Sequence, residues 1–277
     1  MPHLYITDLD GTLLDDTSHV SERSAKLLNN AISRGALFTV ATARTPATVE
    51  ILMKDVDLRL PAIVMTGAAM WDSSTSLYTE ARFISDELSR KAVNVFRCQG
   101  LEPFMYCIRH GMLHVYHHGE LTEQQQAFVD ARTGLRLKQF HLDATAAQVE
   151  GAKNVILIFG MGTHDHLSRV EEVLNADGEY SVSFYEDNAS DQYYIEVFTR
   201  GVSKAEAVKR LAAMVGADEI TVYGDNLNDI SMMAVASDSA AVANAKPEVL
   251  TTASRIIASN NEDAVAVDVN NHFRCHD

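Results

Sequence analysis

The sequence predicts an α/β fold, a doubly wound parallel sheet interrupted by a second, α+β domain. Three observations carry that expectation. Short apolar runs at Leu4–Thr7, Leu37–Ala41, Pro61–Met65 and Ile220–Tyr223 alternate with helix-period segments, the pattern of parallel strands covered on both faces. From about Phe83 to Tyr194 the strands become amphipathic and hairpin-like instead. The first texture resumes at Ser203. The boundaries read as 1–82 and 199–277 for the core and 83–198 for the insert, which at roughly 110 residues is large enough to be a domain.

Each element follows from local chemistry. Leu4–Thr7 is the first strand, and Ser21 is an N-cap opening a helix through Ala25, Leu27, Leu28, Ala31 and Ile32 that Gly35 closes. Leu37–Ala41 and Pro61–Met65 are the next strands. Within the insert, Phe104–Ile108, the turn Arg109-His110-Gly111 and Met112–Tyr116 form an antiparallel pair. Thr122 with Gln125 makes a capping box for a helix ending near Gly134. Val155–Phe159 is a strand, a helix runs through Leu167, Val170, Val173 and Leu174, and strands follow around Val182–Tyr185 and Tyr194–Phe198. The returning core has a helix with Ala207, Val208, Leu211 and Ala212 on one face, the strand Ile220–Tyr223, a helix near Ile230–Ala234 and a strand at Ala240–Ala243. The expected core is Rossmann-like.

Composition narrows the function. The 277 residues are 47% apolar and 22% charged, ordinary for a globular chain, with a net charge of −15. That charge argues against a nucleic-acid or anionic-membrane binder, both of which rely on basic surfaces. It leaves room for a small phosphorylated substrate, because a bound cation sets the local field. No apolar run approaches the roughly 18 residues that span a bilayer. The first strand begins almost at once, so no secretory signal is expected. Cys98, Cys107 and Cys275 form no disulfide framework and fit a reducing, cytoplasmic setting, in which the Asn188-Ala189-Ser190 sequon is an accident of composition.

The chemistry concentrates at Asp8-Leu9-Asp10-Gly11-Thr12, where the first strand runs out into a glycine turn. Carboxylates two apart on an extended segment face one volume, and their repulsion is relieved by a hard cation with oxygen ligands. A calcium loop of the EF-hand type is excluded, since its sixth and twelfth positions hold Leu13 and His19. Three more groups fall at strand ends or a helix start, where open α/β sheets bind ligands. Thr42 ends the second strand and can donate to a phosphoryl oxygen. Lys204 opens a helix against its dipole, a local conflict that points to a role. Asp225, Asn228 and Asp229 follow the strand Ile220–Tyr223; Asp225 and Asp229, four apart, share one face of a helix start. Asp225 suits a metal, Asn228 a phosphate, and Asp229 the orienting of Lys204.

Taken in order, these motifs resemble the haloacid dehalogenase (HAD) phosphatase superfamily, and the large α+β insert resembles the cap of its Cof-like branch. The resemblance implies a Mg²⁺-dependent phosphatase of small phosphorylated metabolites, sugar phosphates foremost. Asp8 would be the nucleophile that forms an aspartyl-phosphate and Asp10 the general acid and base. Mg²⁺ would be held by Asp8, the Asp10 carbonyl and Asp225. Leu9, Thr42, Ala43, Lys204 and Asn228 would hold the phosphoryl oxygens, with Thr12 stiffening the turn. The expected partner is a small phosphorylated metabolite, with no nucleic acid and no membrane, and nothing asks for more than a monomer. The cap would close and reopen about hinges near Glu80–Phe83 and Thr199–Gly201.

The sequence departs from the branch at three places. Ala43 stands where glycine is usual, Ala205 follows the lysine instead of glycine, and Thr66-Gly67-Ala68 replaces Asn-Gly-Ala. Two alternatives remain, a phosphotransferase like the phosphomannomutases and a catalytically silent binding protein. The cap histidines, among them His110, His114, His117 and His118, read as surface or rim residues and not as a metal site.

Overall fold

The computed structural model describes residues 2–186 and 192–275, so the Asn188-Ala189-Ser190 sequon lies outside the described residues. The chain divides into two compact units, one of Met1–Glu80 with Ser203–Asp277 and the other of Ala81–Val202.

The first unit is built on a five-stranded parallel sheet in the order Arg255–Ile257, Asp238–Val242, Glu219–Gly224, His3–Thr7, Leu37–Val40. After His3–Thr7 the chain steps to one side, and after the insert it returns to the other, so a topological switch lies beside the first strand. Register matters here. Thr7 pairs with Tyr223 on one side and Val40 on the other, so Asp8, Asp225 and Thr42 leave the sheet at one edge. Leu4, Tyr5 and Ile6 are fully buried because helices cover the sheet; helix Glu22–Ser33 packs on Ala264–Cys275. Ser21 caps the former by accepting from the Ser24 N–H.

The structure adds to the reading of the third strand. Ala62–Val64 meets the parallel sheet through a parallel bridge from Ile63 to Ala41, with the Thr42 N–H donating to the Ile63 carbonyl at 3.0 Å, and it also pairs antiparallel with Ala69–Asp72. With Leu77–Ala81 these form a separate three-stranded meander, where the sequence was expected to show hairpins only beyond Phe83. Trp71 is fully buried there, so its indole is a packing element. The strand Arg255–Ile257 and the helix Ala264–Cys275 were not anticipated; the strand is only three residues long, too short for a period-2 signal.

The second unit is a six-stranded sheet in the order Tyr180–Glu186, Tyr193–Thr199, Val155–Gly162, Phe104–Arg109, Met112–Tyr116, Lys138–His141. All neighbours are antiparallel except the last pair. Helices Asp86–Cys98 and His164–Asp177 cover one face, burying Met105, Cys107, Ile195 and Val197 with Phe96 and Leu167. The capping box of Thr122 and Gln125 is present, but its helix ends earlier, at Asp130. Among the described residues no helix is long and apolar enough to cross a membrane.

Candidate active site

The first strand ends in a single wide turn, Leu9–Leu13, closed by the Leu14 N–H donating to the Leu9 carbonyl at 2.9 Å. Gly11 makes it possible. Its φ of +72° lies in the left-handed region, and a Cβ there would meet Asp225 Oδ2 at 2.5 Å. Asn244 donates to the Gly11 carbonyl at 2.8 Å, and the Lys246 N–H to the Asp225 carbonyl at 2.9 Å, so a neighbouring loop holds both segments. Neither residue had a sequence signal of its own.

Four charged side chains meet at this edge. Lys204 is the first residue of helix Lys204–Val215, which Ser203 caps, yet it is only 1% exposed. Its ammonium donates to Asp8 Oδ1 and to Asp229 Oδ1, each at 2.7 Å. A solvated surface lysine is thereby ruled out. The second oxygen of Asp229 accepts from the N–H groups of Asp225 and Asn226 at 3.1 Å, so this fully buried carboxylate is spoken for on both sides. Asp229 also approaches the backbone of Gly224 so closely that a Cβ there would lie 2.5 Å from its own. Asp225 is not on a helix, as the sequence suggested. It sits in the loop before Asn226, which caps the short turn Leu227–Asp229, and Thr12 donates to its Oδ1 at 2.8 Å.

One ammonium therefore serves two carboxylates, with a third acid alongside. Burial pushes Asp8 up to about 8, against the pull of Lys204, and Asp225 up to about 6. Lys204 itself is raised despite its burial, by Asp229 and Asp8. The carboxylate oxygens of Asp8, Asp225 and Asp229 lie within 4.8 Å of one another. Buried acids short of positive charge, with oxygen donors only, fit a hard divalent cation. Since Asp229 is fully engaged, Asp8 and Asp225 are the acids free to hold it.

The remaining residues named from sequence are placed differently. Asp10 faces outward and is gripped by Arg44, whose Nε and Nη2 reach its two oxygens at 2.7 and 2.6 Å. The planar fork of arginine matches a carboxylate in this way, whereas lysine offers one point. Arg44 was given no role in the sequence analysis, and its grip on Asp10 brings it to the site. Thr42 is buried, and its hydroxyl accepts from the Arg44 N–H at 3.1 Å. Leu9 is buried at the head of the turn, and Ala43 follows Thr42 at the strand end. Asn228 is exposed, and its backbone carbonyl accepts from the Ser231 hydroxyl at 3.3 Å. Thr66 has φ +56° beside Met65 at +50° and Gly67 at +92°. Asparagine tolerates that left-handed conformation better than a β-branched residue, which is a backbone reason for the asparagine usual there. Within the insert, His114 pairs with His141 at 2.9 Å, His118 with the Ala144 carbonyl at 2.9 Å, and His117 stacks on Phe104.

Comparison with known proteins gives this arrangement a lineage. A family profile described as haloacid dehalogenase-like hydrolase matches residues 5–267. The chain is 26% identical to the 5-amino-6-(5-phospho-D-ribitylamino)uracil phosphatase YwtE of Bacillus subtilis (strain 168), over 94% of each chain. It is 24% identical to the pyridoxal phosphate phosphatase YbhA of Escherichia coli (strain K12), over 96% of this chain and 97% of the relative. Among solved structures, the HAD subclass IIB sugar phosphatase BT4131 superposes with a TM-score of 0.74 at 20% identity, over 99% of both chains. A parallel sheet carrying buried acids at its switch point, matched to the family profile over nearly its whole length, thus belongs to the haloacid dehalogenase-like hydrolases, as a Cof-like phosphatase.

Proposed function

We propose that the chain is a cytoplasmic, Mg²⁺-dependent phosphatase of small phosphorylated metabolites, sugar phosphates foremost, working through an aspartyl-phosphate on Asp8. The observation that carries this reading is Asp8 itself, a buried carboxylate at a strand end with Lys204 at 2.7 Å and Asp225 alongside. Relatives acting on a phosphoribityl compound, on pyridoxal phosphate and on sugar phosphates support the substrate class.

Asp8, Asp225 and the Asp10 carbonyl would hold Mg²⁺, which supplies charge neutralisation at the phosphoryl oxygens. An oxygen of Asp8 attacks phosphorus, forming the acyl phosphate as the bond to the leaving alkoxide breaks. Asp10 gives that alkoxide its proton. Water then attacks the phosphorus of the acyl phosphate while Asp10 takes the proton back, releasing inorganic phosphate and restoring Asp8. Lys204 favours the ionised form of Asp8 against the effect of burial, and Asp229 keeps Lys204 in place. Arg44 fixes where the Asp10 carboxylate points, and the Thr42 hydroxyl and the Ala43 N–H complete the cradle.

Phosphate release from a panel of phosphorylated metabolites, with and without Mg²⁺, tests this for wild type and Asp8→Asn. Mg²⁺-dependent release that the substitution abolishes is expected. A folded wild type that releases no phosphate from any compound, yet isomerises a sugar phosphate when given a bisphosphate activator, would overturn it in favour of a mutase.

A further inference from the structure

The parallel ladder ends just below the buried acids, so other contacts set how far apart they stand. Thr7 and Tyr223 are the last pair of the ladder between their strands, and the Asp8 N–H adds one bond to the Tyr223 carbonyl at 3.0 Å. Beyond it the Leu9–Leu13 turn and the Asp225 loop run on as separate segments. A third segment touches both. Strand Asp238–Val242 is separated from His3–Thr7 in the sheet by Glu219–Gly224. In the loop after it, the Asn244 amide donates to the Gly11 carbonyl at 2.8 Å and the Lys246 N–H donates to the Asp225 carbonyl at 2.9 Å. The Asn244 side chain also accepts from the Asn260 N–H at 3.0 Å, so both ends of its amide are engaged although the residue is exposed.

Asn260 stands behind this contact and is 5% exposed. Its own amide donates to the Leu14 carbonyl at 3.0 Å and to the Asp16 carboxylate at 3.1 Å, which holds the far end of the turn as well. Gly11 lies between Asp10, whose carbonyl the metal would take, and Thr12, whose hydroxyl holds Asp225. A glycine at φ +72° has no side chain to fix its peptide, so hydrogen bonds do that work. A bond to the Gly11 carbonyl therefore acts on both metal-holding segments. What such a brace alters is tolerance of size. Mg²⁺ demands a near-ideal octahedron of oxygens at about 2.0–2.1 Å, whereas Ca²⁺ accepts about six to eight at about 2.3–2.6 Å in flexible arrangements. Ligands held at one spacing favour the small ion. Ligands free to spread lose that preference.

We propose that Asn244 is a positioning residue for the metal-holding acids. With Asn260 behind it, Asn244 fixes the spacing between the Asp8–Asp10 turn and Asp225, and so makes the site select Mg²⁺ over the larger Ca²⁺. The proposal rests on the reading above that these acids hold Mg²⁺, and it adds what sets the size of ion they accept.

Calorimetric titration of the full chain with MgCl₂ and with CaCl₂ tests it, in wild type, Asn244→Ala and Asn244→Asp. The quantity compared is the ratio of the two dissociation constants, which a general loss of folded protein leaves unchanged. Asn244→Ala should weaken Mg²⁺ binding by about 10-fold or more, as removing support behind a metal ligand does, and Ca²⁺ binding far less. Asn244→Asp keeps the shape and can still accept from the Asn260 N–H, but it cannot donate to the Gly11 carbonyl. Its extra charge attracts both divalent ions alike, so its ratio should fall as in Asn244→Ala. A ratio equal to that of wild type in both variants overturns the proposal, as does a wild type without preference for Mg²⁺. A fall in Asn244→Ala that Asn244→Asp does not share assigns the effect to filled space and overturns it too. Failure of the underlying reading looks different: wild type then binds neither ion, or binds Mg²⁺ equally well after Asp225→Asn, and the proposal falls with it.

Discussion

Replacing Lys204 by methionine removes the one cation that Asp8 and Asp229 share, and the structure sets both the size and the pH dependence of the loss. The ammonium lies 2.7 Å from each carboxylate and is 1% exposed, so water cannot take its place without opening the core. Deleting one partner of a buried ion pair costs about 3–5 kcal/mol, mostly because the remaining charge is stranded. Its pH dependence follows from Asp8, whose folded value is already raised from 3.8 to about 8. A carboxyl raised by folding binds its proton more tightly in the folded state, so its penalty is absent below about pH 4 and grows as pH rises towards 8. Without Lys204 the value climbs further. The lysine itself is raised above 10.5 and stays charged in wild type throughout this range. Urea unfolding in the presence of a chelator, at pH 5 and pH 9, should therefore show a deficit of about 3–5 kcal/mol at pH 9 that shrinks at pH 5. Turnover should fall by at least about 100-fold, as when one preorganised electrostatic donor is lost. A deficit equal at the two pH values, or turnover within a few-fold of wild type, would refute the shared-cation account.

Substitutions at two further positions probe the edges of the site. Gly11→Ala should weaken Mg²⁺ binding by about 10-fold or more, as losing support for a ligand does, because its Cβ would displace the Asp225 carboxylate; the left-handed φ adds a stability loss of about 1–2 kcal/mol. Calorimetric titration with Mg²⁺ decides, and wild-type affinity would sink the assignment of Asp225. Arg44→Ala should leave stability within about 1 kcal/mol, since the pair with Asp10 is partly exposed, but should lower kcat by about 10-fold or more through a misplaced acid and base. Arg44→Lys should recover only part of that, because a point charge cannot grip both oxygens. An unchanged kcat in Arg44→Ala would remove Arg44 from the mechanism.

The sequence by itself determined the α/β class and the long interruption, because covered parallel strands and amphipathic ones have different periodicities. It also determined which residue types stand at the strand ends, since the Asp8 motif and the Asp225–Asp229 cluster directly follow apolar runs. It did not determine that Ala62–Val64 also opens an antiparallel meander, because a buried strand reads the same in either pairing. Nor did local pattern show that Lys204 is buried: a lysine opening a helix is written identically whether it meets water or two carboxylates 196 and 25 residues away. Arg44 on Asp10 and Asn244 on the Gly11 turn arise from contacts between segments distant in the chain. Periodicity and capping are properties of neighbouring residues and survive in one dimension; burial and the balance of charge belong to the packed molecule, and only the tertiary structure decided them.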